Sequence, residues 1–381
     1  MQNDFPTVRI IEEGMREGMQ IESAEIPVEA KVRLLDALSA TGLSTIVVGS
    51  FVSPRWTPQM KDVDELVRRF TPVPGVRYTG LALNERGRER MSQFMPPLSE
   101  PAEFPRTLVH LCDVFVRRNT NRSQAEEIAD LHRVIAAAVA SKAPSAGIGI
   151  NAAWGSNWLG AFGEEARMAM LELQYELWSE AGMPVDRVWI GDPMAWNMPD
   201  RVASQLSAIR RRWPSIRTFH LHLHDARGTA LLSAYQAITA LSSEHTLILD
   251  SSVGGMGGCP YGGHGRMTRM IPTEDLVDLL NELGIENGVD IDRLIEVAHL
   301  AERVVGHELW GHVSKAGPRP RGELLYPMDL PFIETEQQAQ HFRVGSAAYV
   351  GAQSPWATPI NSPARDALHL RRDQLTRDAD V

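Results

Sequence analysis

Two histidines separated by one residue form the most informative chemical pattern in the chain. His222 and His224 stand at the end of a β-like run over residues 218–225. Side chains alternate between the two faces of a strand, so both imidazoles point the same way, about 7 Å apart. Such a pair can hold one divalent metal ion if a third ligand comes from elsewhere in the chain. A polar strand end that binds no metal is an equally good interpretation of this run alone.

Eight short β-like runs alternate with amphipathic helical patterns, and these elements must position the two histidines. The runs are Val8–Glu13, Ser44–Phe51, Arg77–Leu83, Thr107–Val114, Gly147–Trp154, Arg187–Pro193, Thr218–Asp225 and His245–Ser252. The helical patterns cover Glu29–Leu38, Ser123 to about Ala140, Glu164–Ala181, Asp200–Arg212, Thr229–Leu241 and Thr273–Leu283. A capping box of Ser123 and Glu126 marks the start of the second helix.

Eight strand–helix units predict an α/β fold, a closed parallel (β/α)8 TIM barrel. An open doubly wound sheet is the alternative, but no G-x-G-x-x-G follows the first run. The active site of a barrel forms at the C-terminal ends of its strands. Unusual residues cluster at those ends here: residues 12–17 and 50–56, Asp192, the two histidines and the glycine-rich stretch 254–265.

The chain changes character after about Gly311. A connector rich in proline and glycine, Gly317–Gly322, is followed by a mixed segment and a charged end. We therefore expect a barrel domain over residues 1–310 and a C-terminal extension over 311–381, frayed at its end. The extension is expected to cover the barrel mouth or to contact a second subunit, since barrels of this kind often form homodimers.

Composition narrows the class of protein. The formal net charge is −10 and no block of Lys and Arg stands out, which disfavours nucleic-acid and anionic-membrane partners. The two cysteines are expected to be free thiols in a reducing compartment. The N-terminus has no signal-peptide core, and no apolar run approaches the roughly 18 residues that span a bilayer. These features predict a soluble cytoplasmic protein.

Glu17 is the best candidate for the third metal ligand, because the first and seventh strands of a barrel both end at the mouth. Glu13 or Asp225 could replace it, and a solvated loop carboxylate is the alternative for Glu17 itself. Oxygen and nitrogen ligands together suit Mg²⁺, Mn²⁺, Co²⁺ or Zn²⁺, and we favour Mg²⁺ or Mn²⁺.

Two further residues could take part in a reaction at this metal. Arg16 could direct its guanidinium at a developing enolate oxygen, with a surface salt bridge as the alternative. Cys259 lies in a glycine-rich loop that could close over a ligand. Close to a cation and a metal, its thiol could have a lowered pKa and transfer a proton, and an incidental exposed thiol is the alternative. Cys112 is expected to be a core residue.

Together these residues resemble the HMG-CoA lyase family, within a wider group of metal-dependent barrel lyases and acyltransferases. The resemblance runs from about Val8 to Gly306, and several motifs in the same order make it specific. They are Arg16–Gln20, Ser50–Met60, His222–Asp225, Asp250–Ser252, Gly257–Tyr261, Thr273–Val277 and Leu283–Ile285.

The resemblance implies retro-Claisen cleavage of a 3-hydroxyacyl-CoA, such as HMG-CoA, to acetyl-CoA and a keto acid. It implies that Arg16 stabilises the enolate, that Cys259 moves protons, and that the metal is bound by Glu17, His222 and His224.

Fewer residues of the sequence indicate where CoA would bind. Arg117, Arg118 and Asn119 follow the fourth strand, where the family has basic residues and an Asn, so the resemblance implies that they meet phosphates. Surface charge is the alternative.

Three departures from the family pattern predict a working lyase with altered substrate recognition. Glu17 stands where the family has Asp, Val47 where it has Glu, and Met270 near the position of an Asn. His264 could replace that Asn. Arg266 and Arg269 could pair with an extra substrate carboxylate, although solvated loop arginines are the alternative.

Two other functions remain open at this stage. An aldolase or Claisen condensing enzyme acting on a different organic acid would use the same metal and enolate chemistry. A barrel that has lost catalysis would only bind an acyl-CoA or an organic acid.

Overall fold

The computed structural model describes residues 4–101, 105–263, 268–322 and 325. The chain divides into two compact units, Met1–Gly317 and Pro318–Val381. The first unit therefore extends beyond the predicted boundary at residue 310. It includes the short helix α11 (Val313–Ala316). The predicted extension lies mostly outside the described residues. Within the described ranges, no helix is long and apolar enough to cross a membrane.

Eight parallel strands form the central sheet in the described part of the chain. They are β1 (Thr7–Glu12), β2 (Thr45–Ser50), β3 (Arg77–Leu81), β4 (Val109–His110), β5 (Ala146–Asn151), β8 (Val185–Asp192), β9 (Thr218–Leu223) and β10 (Thr246–Ser251). Their order is β3-β2-β1-β10-β9-β8-β5-β4. Two short strands, β6 (Gly155–Ser156) and β7 (Gly160–Ala161), form an antiparallel hairpin after β5. The predicted α/β fold is confirmed.

The two edge strands of this sheet are connected through the residues that precede β4. Leu98 forms a bridge with Tyr78 of β3, and Arg106 forms one with Gly147 of β5. The amide of Ser99 also donates to the carbonyl of Tyr78 at 2.8 Å. The described residues on either side of 102–104 therefore pair with β3 and with β5, beside β4, which closes the ring of strands that a TIM barrel requires.

The fourth strand is shorter than the sequence predicted. Only Val109–His110 is extended, and helix α4 (Asp113–Thr120) begins where the predicted strand should continue. The Sγ of Cys112 caps this helix by accepting from the amide of Phe115 at 3.4 Å. A short apolar run fits a buried strand and a buried helix equally well, which explains the wrong prediction.

The six predicted helices are present within two residues of their expected ends. They are α1 (Val28–Ser39), α5 (Gln124–Ala140), α6 (Glu164–Glu180), α7 (Pro199–Arg212), α8 (Ala230–Ala240) and α9 (Thr273–Glu282). Helices α2 (Val63–Arg69), α3 (Glu85–Ser92), α4 and α10 (Ile291–Val305) were not predicted. The capping box is confirmed, with the Ser123 amide donating to Glu126 at 2.7 Å.

Alternation along the strands separates the main core from the interior of the barrel. Leu247 and Leu249 of β10 join the large apolar cluster that the helices cover. Ile248, between them, belongs to a separate small cluster with Ile11 and Val47. On β9 the leucines likewise join the main core. The histidines of β9 therefore face the interior of the barrel, on the side opposite to the leucines, as the alternation predicted for the two residue types.

Candidate active site

Glu17 is positioned by a tight π-helical turn, Gly14–Gly18, that follows β1. The buried carboxylate of Glu12 fixes this turn, since its Oε1 accepts from the amides of Gly14 at 2.8 Å and Val253 at 2.9 Å. A side chain at Gly14 would meet that oxygen at 2.6 Å, so the turn requires glycine there. Burial raises the pKa of Glu12 to about 7. The sequence analysis assigned no role to Glu12.

The three predicted metal ligands come together at the mouth. Glu17, His222 and His224 each offer one ligand atom, and these atoms lie within 4.8 Å of one another. The Oε1 of Glu17 is 3.8 Å from the Nε2 of His224. All three side chains are buried. One carboxylate and two imidazoles at this spacing form a candidate metal centre.

Each imidazole is oriented by a hydrogen bond that its Nδ1 atom makes to a neighbouring oxygen. His222 donates from Nδ1 to the Oδ2 of Asp250 at 2.7 Å. His224 bonds through Nδ1 to the carbonyl of Thr268, which leaves its Nε2 buried without a hydrogen-bond partner. A buried, unpartnered ring nitrogen that faces a carboxylate fits a metal ligand. Burial also lowers the pKa of His224 to about 4, which keeps the ring neutral and able to donate its lone pair.

Asp250 holds two histidines at once. Its Oδ1 lies 2.6 Å from the Nε2 of His220. His220 lies two residues before His222 on β9, on the same face of the strand. Burial alone would raise the pKa of Asp250, but the charges and hydrogen bonds of His220 and His222 outweigh it and lower the pKa. The same hydrogen bond outweighs burial at His222 and raises the pKa of that ring. Asp250 is therefore an anion that supports the candidate ligand His222.

Arg16 lies between two carboxylates of the same turn. Its Nε donates to Glu13 at 2.7 Å, and its Nη1 donates to Oε2 of Glu17. Burial would lower the pKa of Arg16, but these two negative charges raise it. Arg16 does form the salt bridges of the alternative interpretation, but not at the surface, because its side chain is only 13% exposed. Arg16 is a fixed cation directly beside the candidate metal centre.

Cys259 is buried, and its burial shifts the pKa of the thiol in the direction opposite to the expected one. Burial and the negative charge of Glu17 raise the pKa of the thiol to about 12. Its side chain packs in an apolar cluster with Cys112, Phe115, Ala152 and Met194. The thiol is therefore protonated and can donate a proton, and it is not an exposed nucleophile.

Thr268 connects Cys259 to the metal centre. Its Oγ1 accepts from the amide of Cys259 at 2.7 Å, while its carbonyl bonds to His224. The glycine-rich loop also passes close to Glu17, since a side chain at Gly257 would meet the Cγ of Glu17 at 3.4 Å. Gly257 has a φ of 122°, which favours glycine.

The alternative ligands are engaged elsewhere. Asp225 caps α8, its Oδ1 accepting from the amide of Ala230 at 2.7 Å. Glu13 pairs with Arg16 and, unlike Glu17, is not part of the group whose ligand atoms lie within 4.8 Å of one another. Arg269, predicted to meet a substrate carboxylate, instead lies 3.8 Å from Asp225 and 4.5 Å from the centre of the Trp310 ring. Its charge is therefore already compensated. Arg266 and His264 lie outside the described residues.

The three predicted CoA-binding residues lie together in the last turn of α4. The side chain of Arg117 is 62% exposed, and it lies 4.0 Å from Asp113. Arg118 is also exposed, with its guanidinium 5.4 Å from the centre of the Trp158 ring on the β6–β7 hairpin. Asn119 is half-buried. None of them joins the metal centre, although Phe115 of the same helix packs with Cys259.

The sequence analysis did not name Asn197, and it assigned no role to Asp250. Asn197 donates from Nδ2 to the carbonyl of His224 and to Asp192, both at 2.8 Å. Burial raises the pKa of Asp192 to about 6. Asp250 could have been found from strand register: Ile248 pairs with His220 and Leu249 with Leu221, so Asp250 follows opposite His222.

Comparisons with known proteins agree with this geometry. The HMGL-like family profile matches residues 7–301. Mitochondrial hydroxymethylglutaryl-CoA lyase of Gallus gallus is 32% identical over 83% of this chain and 99% of its own length. Cytoplasmic 3-hydroxy-3-methylglutaryl-CoA lyase of Mus musculus is 31% identical over 83% of this chain and 86% of its own. The crystal structure of hydroxymethylglutaryl-CoA lyase from Pseudomonas aeruginosa is 30% identical, with a TM-score of 0.67 over 82% of this chain and 98% of that one.

Fold and site together define a (β/α)8 barrel with a candidate metal centre at its C-terminal mouth. The chain belongs to the HMGL-like family. The resemblance recognised in the sequence motifs is thereby confirmed.

Proposed function

We propose that this protein is a divalent-metal-dependent carbon–carbon lyase. It cleaves a 3-hydroxyacyl-CoA, HMG-CoA or a relative, to acetyl-CoA and a keto acid by retro-Claisen chemistry. The main observation behind this proposal is that the buried group Glu17, His222 and His224 lies next to the cation of Arg16, which bonds Glu17. The relatives of this chain in the family are named as HMG-CoA lyases.

The candidate ligands suit Mg²⁺ or Mn²⁺, with Zn²⁺ and Co²⁺ as alternatives. Glu17 offers a hard oxygen, while His222 and His224 offer nitrogens that several of these ions accept. A bound cation would polarise the hydroxyl and a carbonyl oxygen of the substrate. The three ligands together carry one negative charge when both rings are neutral, so Glu17 supplies the charge complement for the cation.

The remaining groups fit the bond changes of the reaction. A base of the site takes the hydroxyl proton, the bond between C2 and C3 breaks, and its electron pair passes to a thioester enolate while C3 becomes a carbonyl. The proton taken from the hydroxyl balances the one that the enolate carbon gains, and its return to Cys259 restores the thiol. Arg16, buried and permanently charged, would stabilise the enolate oxygen. Cys259, protonated because of its raised pKa, would deliver a proton to the enolate carbon and so complete acetyl-CoA.

The thioester end would lie along α4. Arg117 and Arg118 are exposed cations, and Asn119 adds an amide to the same turn. Guanidinium groups bind phosphate oxygens in a fork geometry. Phe115 of this helix packs with Cys259, so a CoA held along α4 would lead its thioester toward the loop that bears Cys259.

Recognition of the acyl end would differ from that in the family pattern. Val47 stands where the family has an acid, and it packs with Ile11 and Ile248 in the barrel interior. Met270, near the position of the family Asn, is fully buried beside His224. Apolar groups at both positions favour a 3-hydroxyacyl-CoA with a less polar acyl group.

A panel of 3-hydroxyacyl-CoAs with mass-spectrometric detection tests the proposal. We expect release of acetyl-CoA with Mg²⁺ or Mn²⁺ and none in EDTA. His222→Ala should abolish turnover, and Cys259→Ser should slow it greatly while leaving bound metal unchanged. Free CoA from acetyl-CoA plus a keto acid would indicate a condensing enzyme instead. A ligand-dependent thermal shift without turnover would indicate a barrel that only binds acyl-CoA.

Compartment and assembly remain predictions. The relatives include both mitochondrial and cytoplasmic enzymes. We expect a cytoplasmic homodimer, which fractionation and size-exclusion chromatography with light scattering would check.

A further inference from the structure

The loop that carries Cys259 is hydrogen-bonded to a residue of a different loop. Cys259–Gly262 forms a turn, in which the amide of Gly262 donates to the carbonyl of Cys259 at 3.1 Å. The carbonyl of Gly262 in turn accepts from the Nδ2 of Asn157 at 2.7 Å. Asn157 belongs to the β6–β7 hairpin, more than one hundred residues away in sequence. One side-chain amide therefore joins the hairpin to the turn that bears the thiol.

A second contact fixes which way the Asn157 amide faces. The indole Nε1 of Trp196 donates to the Oδ1 of Asn157 at 3.0 Å. The acceptor is thereby engaged, and the Nδ2 group is left to bond Gly262. Trp196 is itself held by its amide, which donates to Asp192 at 3.0 Å, and it packs against Gly155, where an added side chain would meet its ring at 2.6 Å. These hydrogen bonds therefore connect three loops of the mouth one after another: the Cys259 loop, the β6–β7 hairpin and the loop that carries Trp196.

The Cys259 loop needs such a fastening because its backbone is intrinsically permissive. Gly254, Gly255, Gly257 and Gly263 all have positive φ between 64° and 122°. A glycine-rich loop gains conformational entropy when it is released, so its position depends on contacts made at a few points. In the described part of this loop, Thr268 holds the amide of Cys259 and Asn157 holds the far end of the turn.

We propose that Asn157 is a positioning residue that, oriented by Trp196, holds the Cys259 turn beside Glu17 and the two histidines. It touches neither substrate nor metal in this scheme and acts only through the loop. The proposal rests on the function proposed above, in which the Cys259 thiol donates a proton. A thiol displaced by even about 1 Å would lose much of its effect on the reaction.

Alkylation of Cys259 measures its position without requiring turnover. In a Cys112→Ser background, Cys259 is the only cysteine of the chain. We expect Asn157→Ala to raise the rate of alkylation by iodoacetamide about fivefold or more, because the loop opens more often. Asn157→Asp should do the same, since it keeps an acceptor for Trp196 but loses the donor to Gly262. Trp196→Phe should show a smaller effect in the same direction, and none when Asn157 is already Ala.

Turnover and metal binding distinguish positioning from general damage. Asn157→Ala should lower kcat about fivefold or more and leave the Mn²⁺ affinity nearly unchanged. A general structural defect would instead reduce both kcat and the Mn²⁺ affinity. Leu159→Ala is the matched control, because Leu159 is an exposed apolar residue in the same hairpin. It should leave the alkylation rate, kcat and Mn²⁺ affinity unchanged.

Two results would overturn the proposal: an Asn157→Ala alkylation rate within twofold of the parent, or an equal increase in Leu159→Ala. If the parent shows no lyase activity, the proposed function fails, and the alkylation rates still decide whether Asn157 positions the loop.

Discussion

The Nδ1 atom of His222 lies 2.7 Å from Oδ2 of Asp250, across two adjacent parallel strands. The other carboxylate oxygen of Asp250 lies 2.6 Å from His220. A carboxylate that accepts from Nδ1 fixes the tautomer of the imidazole and turns the Nε2 lone pair outward. The orientation of the candidate ligand His222 thus depends on a residue that is not itself one of the three candidate ligands.

Asp250→Asn tests this dependence with almost no change in volume. An amide has one acceptor and cannot accept from both rings, so one imidazole must change its tautomer or lose its bond. We expect Mn²⁺ affinity to fall about 10- to 100-fold, the usual effect of losing a carboxylate that supports a ligating histidine. Isothermal titration calorimetry measures it. Asp292→Asn, at an exposed position of α10, is the control. Equal affinities in both variants would show that Asp250 does not orient His222.

Glu12 should make stability fall as pH rises. Its pKa in the folded protein is about 7, above the ordinary value of 4.5, because the carboxyl is fully buried. The folded state therefore binds this proton more tightly than the unfolded chain does. The resulting stabilisation is fully present below about pH 4.5 and is lost as pH rises through 7. The difference of about 2.5 pKa units corresponds to roughly 3 kcal/mol.

Glu12→Gln removes this titration and keeps the hydrogen-bonding shape of the side chain. Its carbonyl can accept from the amides of Gly14 and Val253, and its amide can donate to Thr273. Urea unfolding between pH 5 and 8 should show a flatter pH dependence than in the parent, by roughly 3 kcal/mol across this range. Parallel curves for the two proteins would contradict the raised pKa.

Local periodicity was enough to predict the parts of the site that lie on one element. His222 and His224 share a face because a strand alternates, and eight strand–helix units placed Glu17 near them. The environment of Cys259 could not be predicted in this way. Its thiol is buried by Cys112 and Met194, which come from two other loops. The sign of its pKa shift follows from that burial, so a motif-based argument gave the wrong direction.

The raised pKa of Cys259 predicts an unusual pH profile for its alkylation. Iodoacetamide reacts with the thiolate, and a thiol with a pKa of about 12 holds little thiolate below pH 10. In EDTA the rate should rise about tenfold for each pH unit between about 7 and 10 without levelling. An ordinary thiol would level off near its pKa of about 8.5. Peptide mapping with Cys259→Ser as the reference identifies the alkylated residue, and a plateau below about pH 9 would contradict the burial argument.

The length of Glu17 is the last feature that can be tested directly. One carboxylate oxygen, Oε2, accepts from Arg16, and the other lies 3.8 Å from the Nε2 of His224. Aspartate, the residue that the resemblance to the family implies at this position, would withdraw the carboxylate by about 1.5 Å, the length of one carbon–carbon bond. With the backbone unchanged, the shorter carboxylate could then either accept from Arg16 or ligate a metal ion beside His224, but not both. We expect Glu17→Asp to weaken Mn²⁺ binding about tenfold although it keeps the charge, and Glu17→Gln to weaken it about 100-fold.

Glu13→Gln is the matched control for both variants, since Glu13 lies on the same turn and also bonds Arg16. It removes one carboxylate from Arg16 without removing a candidate ligand, so Mn²⁺ affinity should change by less than about threefold. Titration calorimetry in the absence of substrate gives all four affinities, and thermal unfolding in EDTA reports whether the apo proteins remain folded. If Glu17→Asp bound Mn²⁺ as tightly as the parent, the reach of Glu17 would not be set by the metal centre. If Glu13→Gln lost as much affinity as Glu17→Gln, the charge around Arg16, and not ligation by Glu17, would control the site.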